Sequence, residues 1–364
     1  MQTLLCALLS SFLAIFCIVR YRHWHLHLSA DAQLGLQKFH SGQIPRIGGL
    51  GVFLGLAIAL GWSTWRGLLE EKGFLLLLAA IPAFGVGLAE DMTKRVGVLT
   101  RLVTTMAAAG LGVWLLDAQL PRVGVPMLDD VVAWAPVGAA VTLVAVAGVV
   151  NAVNIIDGFN GLAAVVSMLM FAAFGYVAWY LGDMFIVQVC LAMIGALAGF
   201  FVWNYPRGLI FLGDGGAYLV GFVLAEVAVL LVVRHPELSP WFCLLVCGYP
   251  VMETVFSIYR KRFLRGMSPG VPDGLHLHML VYRRLVRWAA GSEAARNLTA
   301  RNAATSPYLW GLTSLSVAPA VLFWRNEVLL LLSVAVFVAV YVGVYVRLVR
   351  FRTPRWMRRS LSGR

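Results

Sequence analysis

Four acidic residues set among glycines, asparagines and cations are the first candidates for chemistry in this 364-residue sequence: Glu90, Asp91, Asp157 and Asp214. Glu90 and Asp91 are adjacent and are followed by Lys94, Arg95 and Arg101. That order suits a magnesium–diphosphate complex, because carboxylates hold hard cations or their waters while basic groups take phosphate oxygens. A charged helix terminus that stops a span at the interface reads equally well from the same residues. Asp157 lies in the stretch Asn151-Ala152-Val153-Asn154-Ile155-Ile156-Asp157-Gly158-Phe159-Asn160-Gly161-Leu162, between apolar runs. Unpaired polar groups at membrane depth cost on the order of several kcal/mol, so three asparagines and an aspartate there call for partners. Asp214 stands in Phe211-Leu212-Gly213-Asp214-Gly215-Gly216-Ala217 at an expected helix start. Free N–H groups and the helix dipole favour anions at such a start, and a metal can be chelated against them. No G-x-x-x-x-G-K-S/T is present, which excludes a soluble-type P-loop.

Basic and histidine residues flank these carboxylates. Lys38, His40 and Arg46 precede Gly48-Gly49 and offer positive charge to a phosphate, or juxtamembrane anchoring alone. Arg262 and the pair His276 and His278 lie in a long connection; histidines two apart face one cavity only from an extended or loop backbone, and both can donate to phosphate oxygens. Zinc would need further ligands, and on that side only His40 is available. His23, His25 and His27 read as interfacial, and the five cysteines, all inside apolar segments, read as packing residues.

The elements that position these stretches follow from composition. Sixty per cent of residues are hydrophobic and 13% charged, against about 45–50% and 25% in soluble proteins. A soluble enzyme is excluded. A helical span needs roughly 20 mainly apolar residues, and about eleven such stretches can be laid down, at 2–19, 47–63, 74–89, 102–116, 133–150, 162–181, 184–203, 215–233, 241–259, 309–324 and 327–348. The expected fold is an all-α polytopic membrane protein, one integral domain with motif-bearing connections at 20–46, 90–101, 151–161, 204–214 and 260–308 and a basic tail at 349–364. With the N-terminus outside, those connections and the residues after 346 hold 24 of the 29 Lys and Arg, so the positive-inside rule puts them and the C-terminus in the cytoplasm. Net charge +12 is then explained by anionic headgroups and an anionic substrate, with no nucleic acid. Asp117, Asp129, Asp130, Glu70, Glu71, Asp183, Glu237 and Glu327 fall in outer connections and are expected to be solvated. The four acids named first converge on one membrane face, where their repulsion requires a shared cation.

Taken together, these stretches resemble the polyprenyl-phosphate N-acetylhexosamine-1-phosphate transferases, the membrane family that includes the initiating enzymes of enterobacterial common antigen, teichoic acid and phospho-MurNAc-pentapeptide synthesis. The resemblance runs from about residue 35 to 285. It rests on Lys38 to Gly49, Glu90-Asp91, Asn151 to Leu162, Phe211 to Ala217, and Arg262 to Met279. Glu90, Asn160, Ala217 and Met279 depart from the family pattern, which usually has Asp, Asp, Ser and His.

The resemblance implies transfer of a sugar 1-phosphate from a UDP-sugar such as UDP-GlcNAc to undecaprenyl phosphate, releasing UMP and starting a surface polysaccharide such as O-antigen. It implies Mg2+, with Mn2+ as a substitute, a place in the bacterial inner membrane with the site on the cytoplasmic face, and a homodimer as an allowed state. Asp214 is expected to be the principal metal ligand. Asp91, with Glu90 beside it, is expected to orient or deprotonate the lipid phosphate, and Asp157 to sit at the diphosphate as a metal-shell ligand or a covalent nucleophile. Asn204 and Phe211 look like a uracil-contacting pair, with Asn151, Asn154 and Asn160 nearby. Lys38, His40, Arg101, Arg262, His276 and His278 would contact substrate, mainly its phosphates. A phospho-MurNAc-pentapeptide type enzyme is the nearest alternative; a lipid-linked sugar transporter is the rival class, disfavoured because only Glu226 and Glu253 lie inside spans.

Overall fold

The computed structural model describes residues 1–29, 43–69, 72–266, 274–286 and 296–350, and their regular structure is helical. In chain order the helices are α1 Gln2–Arg20, α2 Arg22–Ser29, α3 Gly48–Trp65, α4 Lys72–Thr93, α5 Val98–Leu116, α6 Pro126–Val132, α7 Ala135–Ile156 and α8 Leu162–Tyr180. They continue with α9 Met184–Asn204, α10 Gly213–Arg234, α11 Pro240–Val246, α12 Gly248–Tyr259, α13 Leu277–Leu280, α14 Arg296–Phe323 and α15 Glu327–Val349. Short π-helical turns follow α12 (Arg260–Leu264) and α13 (Val281–Val286).

Among the described residues nine helices are long and apolar enough to cross a membrane, and α11 with α12 makes a tenth if that bent pair is a single span. The eleven expected stretches therefore need correction in two places. The stretch 241–259 is not straight: it breaks at Cys247 with an 80° bend. Pro250, in the first turn of α12, has no N–H to offer a carbonyl of α11, which removes one of the bonds that would hold the two straight. The stretch 309–324 is the end of the 28-residue α14, which begins inside the connection expected at 260–308 and carries Arg296, Arg301, Pro307 and Pro319.

At the centre lies α10, which is apolar nearly all round, a composition that suits either lipid or the core of the bundle. It is buried along nearly its whole length, packed against α3, α4, α7 and α8. Around it α1 packs on α3 and α9, and α14 packs on α8 and α15. The ends that carry the motifs all meet at one end of this bundle: the start of α3, the end of α4, the starts of α5 and α10, and the end of α7. At the other end Asp183 is buried rather than solvated. It caps α9 by accepting from Ile186 N at 3.2 Å and pairs with Arg234 and His235, each at 3.1 Å.

A small-residue contact brings α4 onto α10. A Cβ at Gly87 would come within 2.6 Å of the Asp214 carbonyl oxygen and the Gly215 nitrogen, whereas one at Gly85 would meet nothing within 4 Å. Overpacking costs about 1–3 kcal/mol. Gly87→Ala is accordingly expected to lower the thermal midpoint of the detergent-solubilised protein by about 2–4 °C per kcal/mol, and Gly85→Ala to leave it unchanged or higher. An equal response of the two variants would contradict this packing.

Candidate functional site

The start of α10 exposes backbone N–H groups that the helix cannot satisfy itself. Two of them are not free for a phosphate, as the sequence suggests, because a carboxylate from another helix end takes them. Asp91, in the last turn of α4, accepts from Asp214 N at 3.0 Å and Gly215 N at 2.8 Å, one bond to each oxygen. Asp157, the C-cap of α7, stands beside Gly213, whose backbone N–H favours its charged form. Gly213 has φ +78°, a left-handed conformation that glycine adopts without strain and that turns these N–H groups toward the two acids.

The Asp214 side chain, one step along α10, is gripped by cations. Its Oδ1 accepts from Arg46 Nη2 and from Asn154 Nδ2, both at 3.1 Å, and its Oδ2 accepts from Arg101 Nη1 at 2.9 Å. Arg46 Nε also stands 3.5 Å from Asp91 Oδ1. The connection that carries Arg46 is held in place by backbone bonds to residues 211–212: Phe211 N to Pro45 O, Gly48 N to Phe211 O and Gly49 N to Leu212 O, at 2.8–2.9 Å. Burial pushes the Asp157 carboxyl up to about 7; Arg46 opposes this and the Asp214 and Asp91 charges reinforce it.

Glu90, beside Asp91, accepts from Val96 N at 2.8 Å and so closes the turn between α4 and α5. Asn151 and Asn154, read as loop residues, lie on the last two turns of α7. Together with Arg101 and Tyr218 they line a cavity of about 260 Å³ whose other walls mix apolar residues of α5, α7 and α12 with the hydroxyls of Thr105, Thr254 and Ser257. Lys261 lines it too. The π-helical turn after α12 buries Lys261 and leaves Arg262 exposed, so the cation at this cavity is not the residue the motif points to.

Two residues expected to contact ligand are tied to the chain's own backbone and side chains. Asn204 accepts from Gly161 N at 2.5 Å and donates to Ile210 O at 2.8 Å, which commits both ends of its amide to backbone. Asn160 is 3% exposed and is pinned through its N–H to Asn302 Oδ1 (2.7 Å), through its carbonyl to Ser306 Oγ (2.6 Å) and through its amide to Pro206 O (3.1 Å). Phe211 is partly exposed at the same end of the bundle. His278 is fully buried, edge-on to Phe159 at 5.6 Å and beside Gly158. Burial pushes its imidazole down to about 3, so it is neutral. His276 is stacked on it, rings 5.4 Å apart, and bonds to Glu253. Lys38 and His40 lie outside the described residues.

Arg46, Lys261, Tyr218 and Glu253 are the neighbours of the site absent from the expected ligand set. Arg46 was legible as a cation before a glycine pair; the others carry no local signal.

The oxygen donors suit a magnesium ion. No group of three His, Cys, Asp or Glu ligands is found among the described residues. Magnesium does not require one, since it keeps several waters and binds through one or two carboxylates plus substrate phosphates. Asp157, a carboxyl driven toward neutrality beside two other acids, is where a further cation would relieve repulsion, with Asp214 as the second donor.

Against this geometry stand the known proteins that the chain resembles. The model of a family described as Glycosyl transferase family 4 matches residues 74–232. The chain belongs to that family: it is a membrane transferase of the polyprenyl-phosphate N-acetylhexosamine-1-phosphate kind. An undecaprenyl-phosphate alpha-N-acetylglucosaminyl 1-phosphate transferase of Salmonella typhi is 31% identical over 254 residues, spanning 68% of this chain and 67% of the relative. One of the same name from Escherichia coli (strain K12) is 31% identical over 258 residues, with the same coverage. A probable undecaprenyl-phosphate N-acetylglucosaminyl 1-phosphate transferase of Bacillus subtilis (strain 168) is 26% identical over 259 residues, covering 70% of each.

A carboxyl whose folded-state value lies above its unfolded one destabilises the fold as pH rises from the ordinary carboxylate range through that higher value. Asp157→Asn is therefore expected to raise the thermal midpoint at pH 8 by a few degrees, with the gain shrinking toward pH 5. A gain that is larger at pH 5 would contradict the burial of this group.

Proposed function

We propose that this protein transfers a sugar 1-phosphate, from UDP-N-acetylglucosamine or a related UDP-N-acetylhexosamine, to undecaprenyl phosphate. The acceptor's phosphate oxygen attacks the phosphorus that bears the sugar, the anhydride bond breaks, and UMP leaves. The reaction takes place at the cytoplasmic face of a bacterial inner membrane, and its product starts a cell-surface polysaccharide such as O-antigen. The observation that carries this reading is the meeting of Asp157 and Asp214 with Arg46 and Arg101 at one end of the bundle, beside a cavity walled by membrane helices. The printed names of the relatives agree with it.

The obstacle in this chemistry is the approach of anions. A phosphate monoester with a second pKa near 6 is largely dianionic at neutral pH, so its nucleophilicity needs little help and the charge it meets must be offset. Arg101 and Lys261 stand at the cavity where the lipid phosphate would enter, with Val98 and Leu102 of α5, Val150 and Ile155 of α7 and Ile258 of α12 beside its chain. Arg46 and Arg101 already hold an anion, Asp214, and the diphosphate would share them. Magnesium, held by Asp214 and Asp157, would supply neutralising charge to the diphosphate. Asp91 acts through the backbone of α10, fixing where Asp214 stands.

The test is UMP release by the purified protein supplied with undecaprenyl phosphate, Mg2+ and a panel of UDP-sugars. Turnover with a UDP-N-acetylhexosamine is expected, and Asp214→Asn should reduce it by about 10²–10³-fold. No release with any UDP-sugar would refute the reading. Mg2+ should also raise the thermal midpoint of the wild type in the presence of UDP more than that of Asp214→Asn; equal shifts would remove Asp214 as a ligand.

A further inference from the structure

Glu253 is a fully buried carboxylate on a helix that belongs to the bent membrane pair, where an acid without a task is costly. All of its described partners are donors. Its Oε1 accepts from His276 Nδ1 at 2.9 Å and from Leu277 N at 3.1 Å. Its Oε2 accepts from Tyr341 Oη of α15 at 3.0 Å and from Leu277 N at 3.3 Å. One carboxylate therefore binds both the imidazole of His276 and the backbone N–H of the next residue, which fixes the ring's place on the chain as well as its plane. The ring then lies parallel to His278, 3° between planes, and His278 in turn rests against Gly158 and Phe159, next to Asp157.

The two histidines have unequal access. His278 is completely enclosed, and neither of its ring nitrogens has a partner among the described residues. His276 keeps 6% exposure, and with its Nδ1 held by Glu253 its Nε2 is the nitrogen left without a partner among the described residues. Where a carboxylate bonds one ring nitrogen, the tautomer and orientation of the other are set by that bond.

We propose that Glu253 is a positioning residue for the transfer: its buried carboxylate, steadied by Tyr341, accepts the Nδ1–H of His276 and orients that ring so that, as an imidazolium carrying its second N–H at Nε2, it donates to a substrate phosphate beside the Asp157–Asn160 loop. The proposal rests on the transferase reading above. It places His278 as the stacking support of His276 and gives α15 a direct connection to the site. A polar cluster kept only for packing would be replaceable without regard to His276, since apolar residues of similar volume commonly serve such places as well.

The test is a double-mutant cycle on the full-length purified protein, reading UMP release from UDP-N-acetylglucosamine with undecaprenyl phosphate. Glu253→Gln removes the charge, and His276→Asn keeps a donor near Glu253 while removing Nε2. Each is expected to lower kcat by about 10–100-fold, with little change in KM for the nucleotide sugar. The double variant should turn over no more slowly than His276→Asn alone. A wild-type rate in Glu253→Gln, or losses that multiply in the double variant, would overturn the positioning role while leaving the transferase reading intact. Absence of UMP release from the wild type with every UDP-sugar would remove the reading and the proposal together. If Glu253→Gln does not yield a monodisperse protein, Tyr341→Phe takes its place in the cycle, with a smaller kcat loss that vanishes in the His276→Asn background; a loss that persists there contradicts the proposal.

Discussion

The start of α10 is a helix terminus whose unpaired N–H groups are answered by carboxylates from elsewhere in the chain, and the rest of the site is arranged around that fact. Asp91 from α4 supplies both oxygens, and Asp157 from the end of α7 stands beside them. A helix N-terminus carries roughly half a positive charge, so two acids can stand there close together at tolerable cost. Once they do, Asp214 is fixed among them, and three carboxylates share a space that neutral surroundings could not support. Arg46, Arg101 and Asn154 complete the balance. The site is thus a near-neutral cluster built from opposed charges, which can exchange partners with a charged ligand without a large change in net charge.

This arrangement explains why α10 is the central helix. Its apolar surface meets neighbours on all sides, so its first turn is held rigidly at one end of the bundle, and the acids that cap it come from the helices packed on it. The close approach of α4 through Gly87 is what lets Asp91 reach the backbone. Asn160 and Asn204 do comparable work nearby: they secure the residues 157–161 to α9 and α14, which keeps Asp157 in register with Gly213.

The gathering of Asp91, Asp157 and Asp214 at one end was legible because alternating spans force odd connections to share a side, whatever the details of packing. The roles inside the cluster were not. Asp91 reads as a residue open to substrate until its two oxygens are seen on Asp214 N and Gly215 N, 123 and 124 positions away. Asn204 reads as a ligand contact only through the family resemblance, and nothing local shows that Gly161 N and Ile210 O are the partners of its amide. Lys261 and Arg262 cannot be ranked without the π-helical turn that rotates one inward. Glu253 sits in an apolar run 23 residues before His276, and Asp183 52 residues before His235, so nothing local announces either pair. The bend at Cys247 was hidden by a hydrophobic stretch of full span length, with Pro250 as its only local trace.

The central claim is that the capped start of α10 is where a nucleotide's diphosphate is received. The most direct measurement is an experimental structure of the protein in a lipid nanodisc with UDP-N-acetylglucosamine and Mg2+. The account predicts diphosphate density in contact with Arg46 and Arg101 beside Asp214, while Asp91 keeps its bonds to the α10 backbone. Nucleotide bound at the opposite end of the bundle, or Asp91 released from α10 to bind the ligand itself, would contradict it.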